Sequence, residues 1–152
     1  MINITLKDGS VKKYSKETSV ISIAKDISEG VARNVISANF NDKVIETNSI
    51  IHEDGKLEFY TWDNDEGKKA FWHSSSHVMA QSIQELFPGV KLTIGPAINS
   101  GFYYDVDLGN HKISESDFEK IETRMIEICR EKHDFKLRPV SKKEALEFYK
   151  QE

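Results

Sequence analysis

The sequence predicts an α+β chain made of two unlike parts, a small mixed-sheet unit over residues 1–62 and a second α+β unit over residues 63–152. Three observations carry this. The first residues alternate apolar and polar side chains around an Asp8-Gly9 pair, the pattern of a two-stranded hairpin. One short helical repeat, Val20, Ile23, Ala24 and Ile27, then sits among further short apolar runs, which suits one helix laid on one sheet. Beyond Asp63-Asn64-Asp65-Glu66-Gly67 the period changes and longer helical patterns take over.

Taken in order, Ile2, Ile4 and Leu6 form one face of a first strand, and Val11 and Tyr14 belong to its return partner. Thr18 or Ser19 can cap the helix by accepting from a free amide of its first turn, and Gly30 is placed to end it. A second apolar set, Val31, Val35, Ile36 and Ala38, follows. Short pieces around Val44-Ile45 and Ile50-Ile51 precede the turn Glu53-Asp54-Gly55-Lys56 and the alternating run Leu57, Phe59, Thr61. Strand, strand, helix and strands in so short a segment are met most simply by a β-grasp, with the helix on one face of a mixed sheet.

The polar stretch Asp63 to Gly67 marks the boundary. A helix is predicted from Asp65 to Phe87, stopped by Pro88-Gly89. Two strands, Val90 to Ile94 and Phe102 to Val106, flank a loop from Gly95 to Gly101. Ser114 with Asp117, or Ser116 with Glu119, makes a capping signal ahead of Phe118, Ile121, Met125, Ile128 and Cys129, which read as a core stripe. Ser141 with Glu144 repeats the signal before Ala145, Leu146 and Tyr149.

Composition narrows the function classes. An apolar fraction of 38% supports packed cores, and neither a long apolar run nor a basic-then-apolar leader is present, so a cytoplasmic protein with no membrane contact is expected. The single cysteine, Cys129, excludes disulfide scaffolds and Cys-rich zinc modules, and its place on the stripe predicts a buried, structural thiol. The formal charge of −4 makes the chain alone a poor ligand for nucleic acid. The basic positions Arg130, Lys132, Lys136, Arg138, Lys142 and Lys143 alternate with acids and read as a solvated face.

The chemistry-bearing pattern is His73-Ser74-Ser75-Ser76-His77. Residues four apart on a helix project from neighbouring turns of one face, so both imidazoles can converge on one ligand, water or metal. At about 100° per residue they stand away from the apolar set Trp72, Met79, Ile83 and Leu86. Small residues beside them, Ser74 to Ser76 and Ala80, let backbone or substrate come close. The bland alternative is a pair of exposed helix histidines with no task. Two histidines make an incomplete metal shell, and Ser74 stands where a His-Glu-x-x-His site has its glutamate, so no metal is expected. The second candidate is Ile94-Gly95-Pro96-Ala97-Ile98 with Gly101-Phe102-Tyr103-Tyr104-Asp105. Strand alternation sends one of Tyr103 and Tyr104 inward and leaves the other's hydroxyl free, without saying which.

Together these residues resemble the N-terminal region of the threonyl-tRNA synthetase family, from Met1 to Glu152. Ile4-Thr5-Leu6-Lys7-Asp8-Gly9-Ser10 resembles the start of a TGS domain, a β-grasp module also found in some GTPases and stringent-response enzymes. Phe71 to His77, Ile94-Gly95-Pro96 and Gly101 to Asp105, in that order, resemble the editing domain. The HxxxH element is shared with alanyl-tRNA synthetases and their free-standing editing relatives, and the TGS-like start favours the threonyl family.

The resemblance implies a TGS β-grasp followed by the first part of an α+β editing domain with an HxxxH helix. It implies a parent that joins threonine to tRNA(Thr) with ATP and magnesium, and that hydrolyses serine wrongly placed on the same tRNA. One methyl separates the two amino acids, and binding alone discriminates such a difference only modestly. By the same resemblance His73 and His77 are catalytic, positioning or activating water at the ester. Tyr104 is a pocket residue and the outward member of its pair, and Gly95 leaves room for the seryl-adenosine. The parent is expected to be a homodimer. The family's site also needs a CxxxH element and a lysine expected beyond residue 152, as are the synthetase core with its ATP site and zinc and the anticodon-binding domain. The chain therefore reads as a truncated piece, without a cofactor and inactive by itself. The alternative is a non-catalytic TGS module that docks on a partner, ligand or RNA, with the remainder as support.

Overall fold

The computed structural model describes residues 1–133 and 138–150; Lys136 of the basic run lies outside them. Alternation makes β1 (Ile2–Leu6) and β2 (Val11–Tyr14) an antiparallel hairpin. Its turn closes through Asp8, whose carboxylate accepts from the Ser10 amide at 2.9 Å and hydroxyl at 2.6 Å. The chain continues through β3 (Thr18–Ser19), α1 (Val20–Ile27), α2 (Glu29–Asn34), β4 (Ser37–Phe40), β5 (Lys43–Ile45), β6 (Ile50–Ile51) and β7 (Gly55–Tyr60). Five strands form one sheet in the order β2-β1-β7-β4-β5, parallel only between β1 and β7, while β3 pairs with β6 apart from it.

One face of this sheet is the core. Ile2, Ile4, Ala38 and Leu57 point from the strands onto Val20 and Ile23 of α1, with Ile51 beside them. Each is at most 2% exposed, so their burial supplies most of the apolar stabilisation here. Asn3 donates from its amide and side chain to Asp54, 2.8 Å each, tying the start of β1 to the turn before β7.

Ser19, one of the two expected caps, does close α1, accepting from the Ser22 amide at 3.2 Å. The far end differs from expectation. Ser28, extended at φ −169°, ends α1, and its hydroxyl accepts from Val31 at 3.0 Å to start α2. Gly30 therefore lies inside a helix rather than terminating one. A hydroxyl can cap a new helix where glycine offers no acceptor.

After Tyr60 the chain turns straight into α3 (Asp65–Leu86). Asn64 Oδ1 accepts from the Thr61 amide at 2.9 Å, and the Asn64 amide donates back to the Thr61 carbonyl at 3.1 Å. A Cβ on Gly67 would lie 1.9 Å from that same carbonyl oxygen, so only glycine allows the helix to start this close to the strand. The inward face of α3 is built from small residues, Gly67, Ser76, Ala80 and Ser82, together with Ile83. Trp72, Met79 and Leu86 of the expected stripe are only half-buried.

The expected pair of longer strands is instead two nested two-residue ladders. β8 (Lys91–Leu92) pairs with β11 (Val106–Asp107), and β9 (Ala97–Ile98) pairs with β10 (Gly101–Phe102). Part of the expected loop is thus strand. Proline at 96 has no amide to continue a ladder, and the outer pairing stops after Thr93 and Ile94 exchange bonds with Asp105.

α4 (Glu115–Glu131) begins with the Ser114–Asp117 capping box, and α5 (Lys142–Phe148) with the Ser141–Glu144 box. α4 packs on α3 through Ile121 and Ile128, and the Ser82 hydroxyl donates to the Ile121 carbonyl at 3.0 Å. Phe118 and Cys129, expected in the core, are exposed. The buried arc of α4 runs through Asp117, Ile121 and Ile128, and the two lie roughly 80° or more around the helix from its centre. No helix among the described residues is long and apolar enough to cross a membrane.

Replacing Ile4, which has no exposed surface, by alanine is expected to cost about 2–5 kcal/mol in urea denaturation. Asp117 gives a pH test. The Ser114 amide and hydroxyl, then His111 and Lys120, hold its carboxyl well below the usual carboxylate range. A depressed folded-state value means that the stabilisation is complete above the unfolded value, near pH 4, and is lost as pH falls through the folded value. The urea midpoint is expected to fall on acidification below about pH 4, and to fall less in Asp117→Asn, which should be the less stable protein at pH 7.

Candidate functional site

The site is assembled around one buried hydroxyl. Ser76 has no exposed surface, and its Oγ lies 2.8 Å from the carbonyl of His73 one turn earlier and 2.8 Å from the carbonyl of Gly95. The second contact draws the segment after β8 onto α3. A small side chain at 76 lets a backbone come this near.

Gly95 is small for a reason of its own. A Cβ there would lie 2.0 Å from Cδ2 of Tyr104, so the tyrosine ring occupies the volume a side chain would need. Tyr104 is accordingly half-buried, and Tyr103 is the outward member of the pair at 44% exposed. The expectation of an outward Tyr104 is corrected, and the open space expected at Gly95 holds the Tyr104 ring.

His73 and His77 are both exposed on the helix. Their Nε2 atoms stand 3.1 Å apart, with ring centroids at 4.6 Å and planes nearly perpendicular at 89°. One ring must donate and the other accept, so the neutral pair consists of two different tautomers. Where a water displaces that bond, the donating Nε2–H can hold the water oxygen while the accepting Nε2 takes its proton. Exposure gives solvent access to both. The four expected residues thus fall into two contiguous pairs, His73 with His77 and Gly95 with Tyr104, joined by Ser76.

Nothing local in the sequence distinguishes Ser76 from its neighbouring serines as the one that meets Gly95. Cys129 and His133 are themselves spaced as Cys-x-x-x-His, and together with His77 and Ile128 they line an open groove of about 600 Å³ between α3 and the end of α4. His133 Nε2 is 2.7 Å from Glu131. Among the described residues no three His, Cys, Asp or Glu side chains converge closely enough to hold a metal ion.

The TGS domain family matches residues 2–61, which span the five-stranded sheet and its helix. Residues 2–61 form a TGS domain. The chain as a whole is homologous to the N-terminal region of threonine–tRNA ligases. It is 61% identical over 150 residues to the threonine–tRNA ligase of Flavobacterium johnsoniae, covering 99% of this chain and 23% of that protein. The enzymes of Cytophaga hutchinsonii and Finegoldia magna are 44% and 45% identical, over 98% and 100% of this chain and 23% and 24% of theirs. The chain therefore spans about a quarter of the relatives that it matches. The TGS domain ends at the Thr61–Asn64 joint, and the histidine helix follows it directly.

Gly95→Ala is expected to push Tyr104 aside and destabilise the β8–β11 segment, by about 1–3 kcal/mol as for other overpacked sites. Gly30→Ala, whose new Cβ would make an ordinary 3.6 Å contact, should be close to neutral in the same denaturation measurement.

Proposed function

We propose that residues 63–152 are the first part of an editing domain, and that His73 and His77 serve hydrolysis of serine mistakenly attached to tRNA(Thr). The observation that carries this reading is the 3.1 Å approach of the two Nε2 atoms on an exposed turn anchored to the Gly95 segment. In this reading a water displaces the hydrogen bond between the two rings and loses its proton to the freed accepting Nε2 as its oxygen attacks the ester carbonyl. The carbonyl–ribose oxygen bond then breaks, and the ribose oxygen takes up a proton as serine leaves. Tyr104, fixed against Gly95, forms a wall of the pocket.

We infer that this chain belongs to a longer, cytoplasmic ligase that joins threonine to tRNA(Thr) using ATP, with the TGS domain over residues 1–62 in its N-terminal region. The similarity to threonine–tRNA ligases over nearly the whole of this chain supports that reading. The chain spans about a quarter of those ligases, and by itself it is expected to deacylate Ser-tRNA(Thr) little or not at all.

In a threonine–tRNA ligase carrying this N-terminal region, His73→Ala is expected to slow Ser-tRNA(Thr) deacylation by about 10²–10⁴-fold, the usual worth of a positioned acid–base group. Threonylation should be unchanged. Deacylation at the original rate in that variant would remove His73 from the reaction.

A further inference from the structure

The chain's two tryptophans, Trp62 and Trp72, stand together where the segment after β7 meets the first turns of α3. Trp62 packs edge-to-face on Trp72 at 5.7 Å and on Phe71 at 5.2 Å. Both Trp62 and Phe71 nevertheless keep 47% of their surface exposed, which is not how an aromatic cluster that merely glues two elements together is left. Trp62 and Trp72 share an open groove of about 570 Å³ with Lys68 and Lys69 of α3 and with Asn99 at the tip of the β9–β10 hairpin. Among the described residues neither lysine is in an ion pair. Asp65 is the acidic side chain in the lining.

We propose that this groove binds the unpaired nucleotides of a nucleic-acid strand, bases against the indoles and phosphates against Lys68 and Lys69. The ligand class follows from the pairing of groups. Every nucleobase has a π-face that stacks on an exposed aromatic ring, and every unpaired nucleotide brings a phosphate within reach of a neighbouring cation. An apolar peptide would satisfy the indoles and leave two free ammonium groups idle. A duplex would offer phosphates and no accessible base face. The chain's net charge of −4 works against general attraction to a polyanion, so binding is confined to this patch and depends on stacking. The inference does not rest on the editing role of His73 and His77.

The molecule carries its own reporter, because all tryptophan fluorescence arises from this groove. Titrating the 152-residue chain with an unstructured adenine-rich RNA hexamer at low salt should give saturable quenching. Two phosphate contacts should make log K fall with log salt at a slope of about −1.4. Trp62→Leu should weaken binding about tenfold or more, the usual worth of one stacked base. The surface pair Lys68→Gln with Lys69→Gln, which leaves the core untouched, should bring the salt slope close to zero. His73→Ala should leave the titration unchanged, which separates this result from the fate of the editing reading. Three outcomes each overturn the proposal: no quenching at low salt, equal quenching by an RNA duplex, or quenching by an apolar peptide and RNA alike that survives loss of both lysines.

Discussion

A serine hydroxyl with no exposed surface connects the elements that make this chain more than a TGS domain with a helix attached. Ser76 sits on the inward face of α3 and reaches two carbonyls, one on its own helix and one on the Gly95 segment. A buried hydroxyl without a partner would be costly, as would an unpaired buried carbonyl, so the contact fixes the distance between helix and segment rather than merely favouring it. Everything that follows inherits that distance. The Tyr104 ring lies over Gly95, and the turn bearing His73 is tied to the same hydroxyl through the His73 carbonyl.

The same economy of side-chain size runs along α3. A helix facing its neighbours with Gly67, Ser76, Ala80 and Ser82 buries little apolar area per residue, and its stability depends on close backbone approach and on hydrogen bonds to carbonyls such as that of Ile121. The TGS domain is built the other way, from Ile2, Ile4, Val20, Ile23 and Leu57, a core that tolerates polar surroundings because it is closed on itself. Two stabilisation strategies thus lie on either side of the Thr61–Asn64 joint.

Legibility in the sequence followed the range of the interactions. The first hairpin, the caps at Ser19, Ser114 and Ser141 and the span of α3 were readable because each depends on neighbours a few residues away. The convergence of His73 and His77 was readable for the same reason. What could not be read depends on contacts distant in sequence. Tyr104 turns inward because residue 95 has no side chain, and a strand pattern of two residues has no alternation from which to infer that. Cys129 lies outside the buried arc because α4 meets α3 along a narrow line, and an apolar stripe read on a wheel does not reveal how wide the contact is. Ser28 replaced Gly30 as the helix stop because it could serve two helices at once.

The joint between β7 and α3 has a consequence for what this protein can tolerate. In composition, residues 63–67 look like a tether, polar and containing glycine. In space they are a splice: Thr61 and Asn64 exchange bonds in both directions, and Gly67 lies against the Thr61 carbonyl. A tether can lengthen freely, whereas a splice has a fixed count, so an added or lost residue here must be absorbed by unravelling the end of the strand or the first turn of the helix. The number of residues between the two parts is therefore as much a structural determinant as the identity of any one of them.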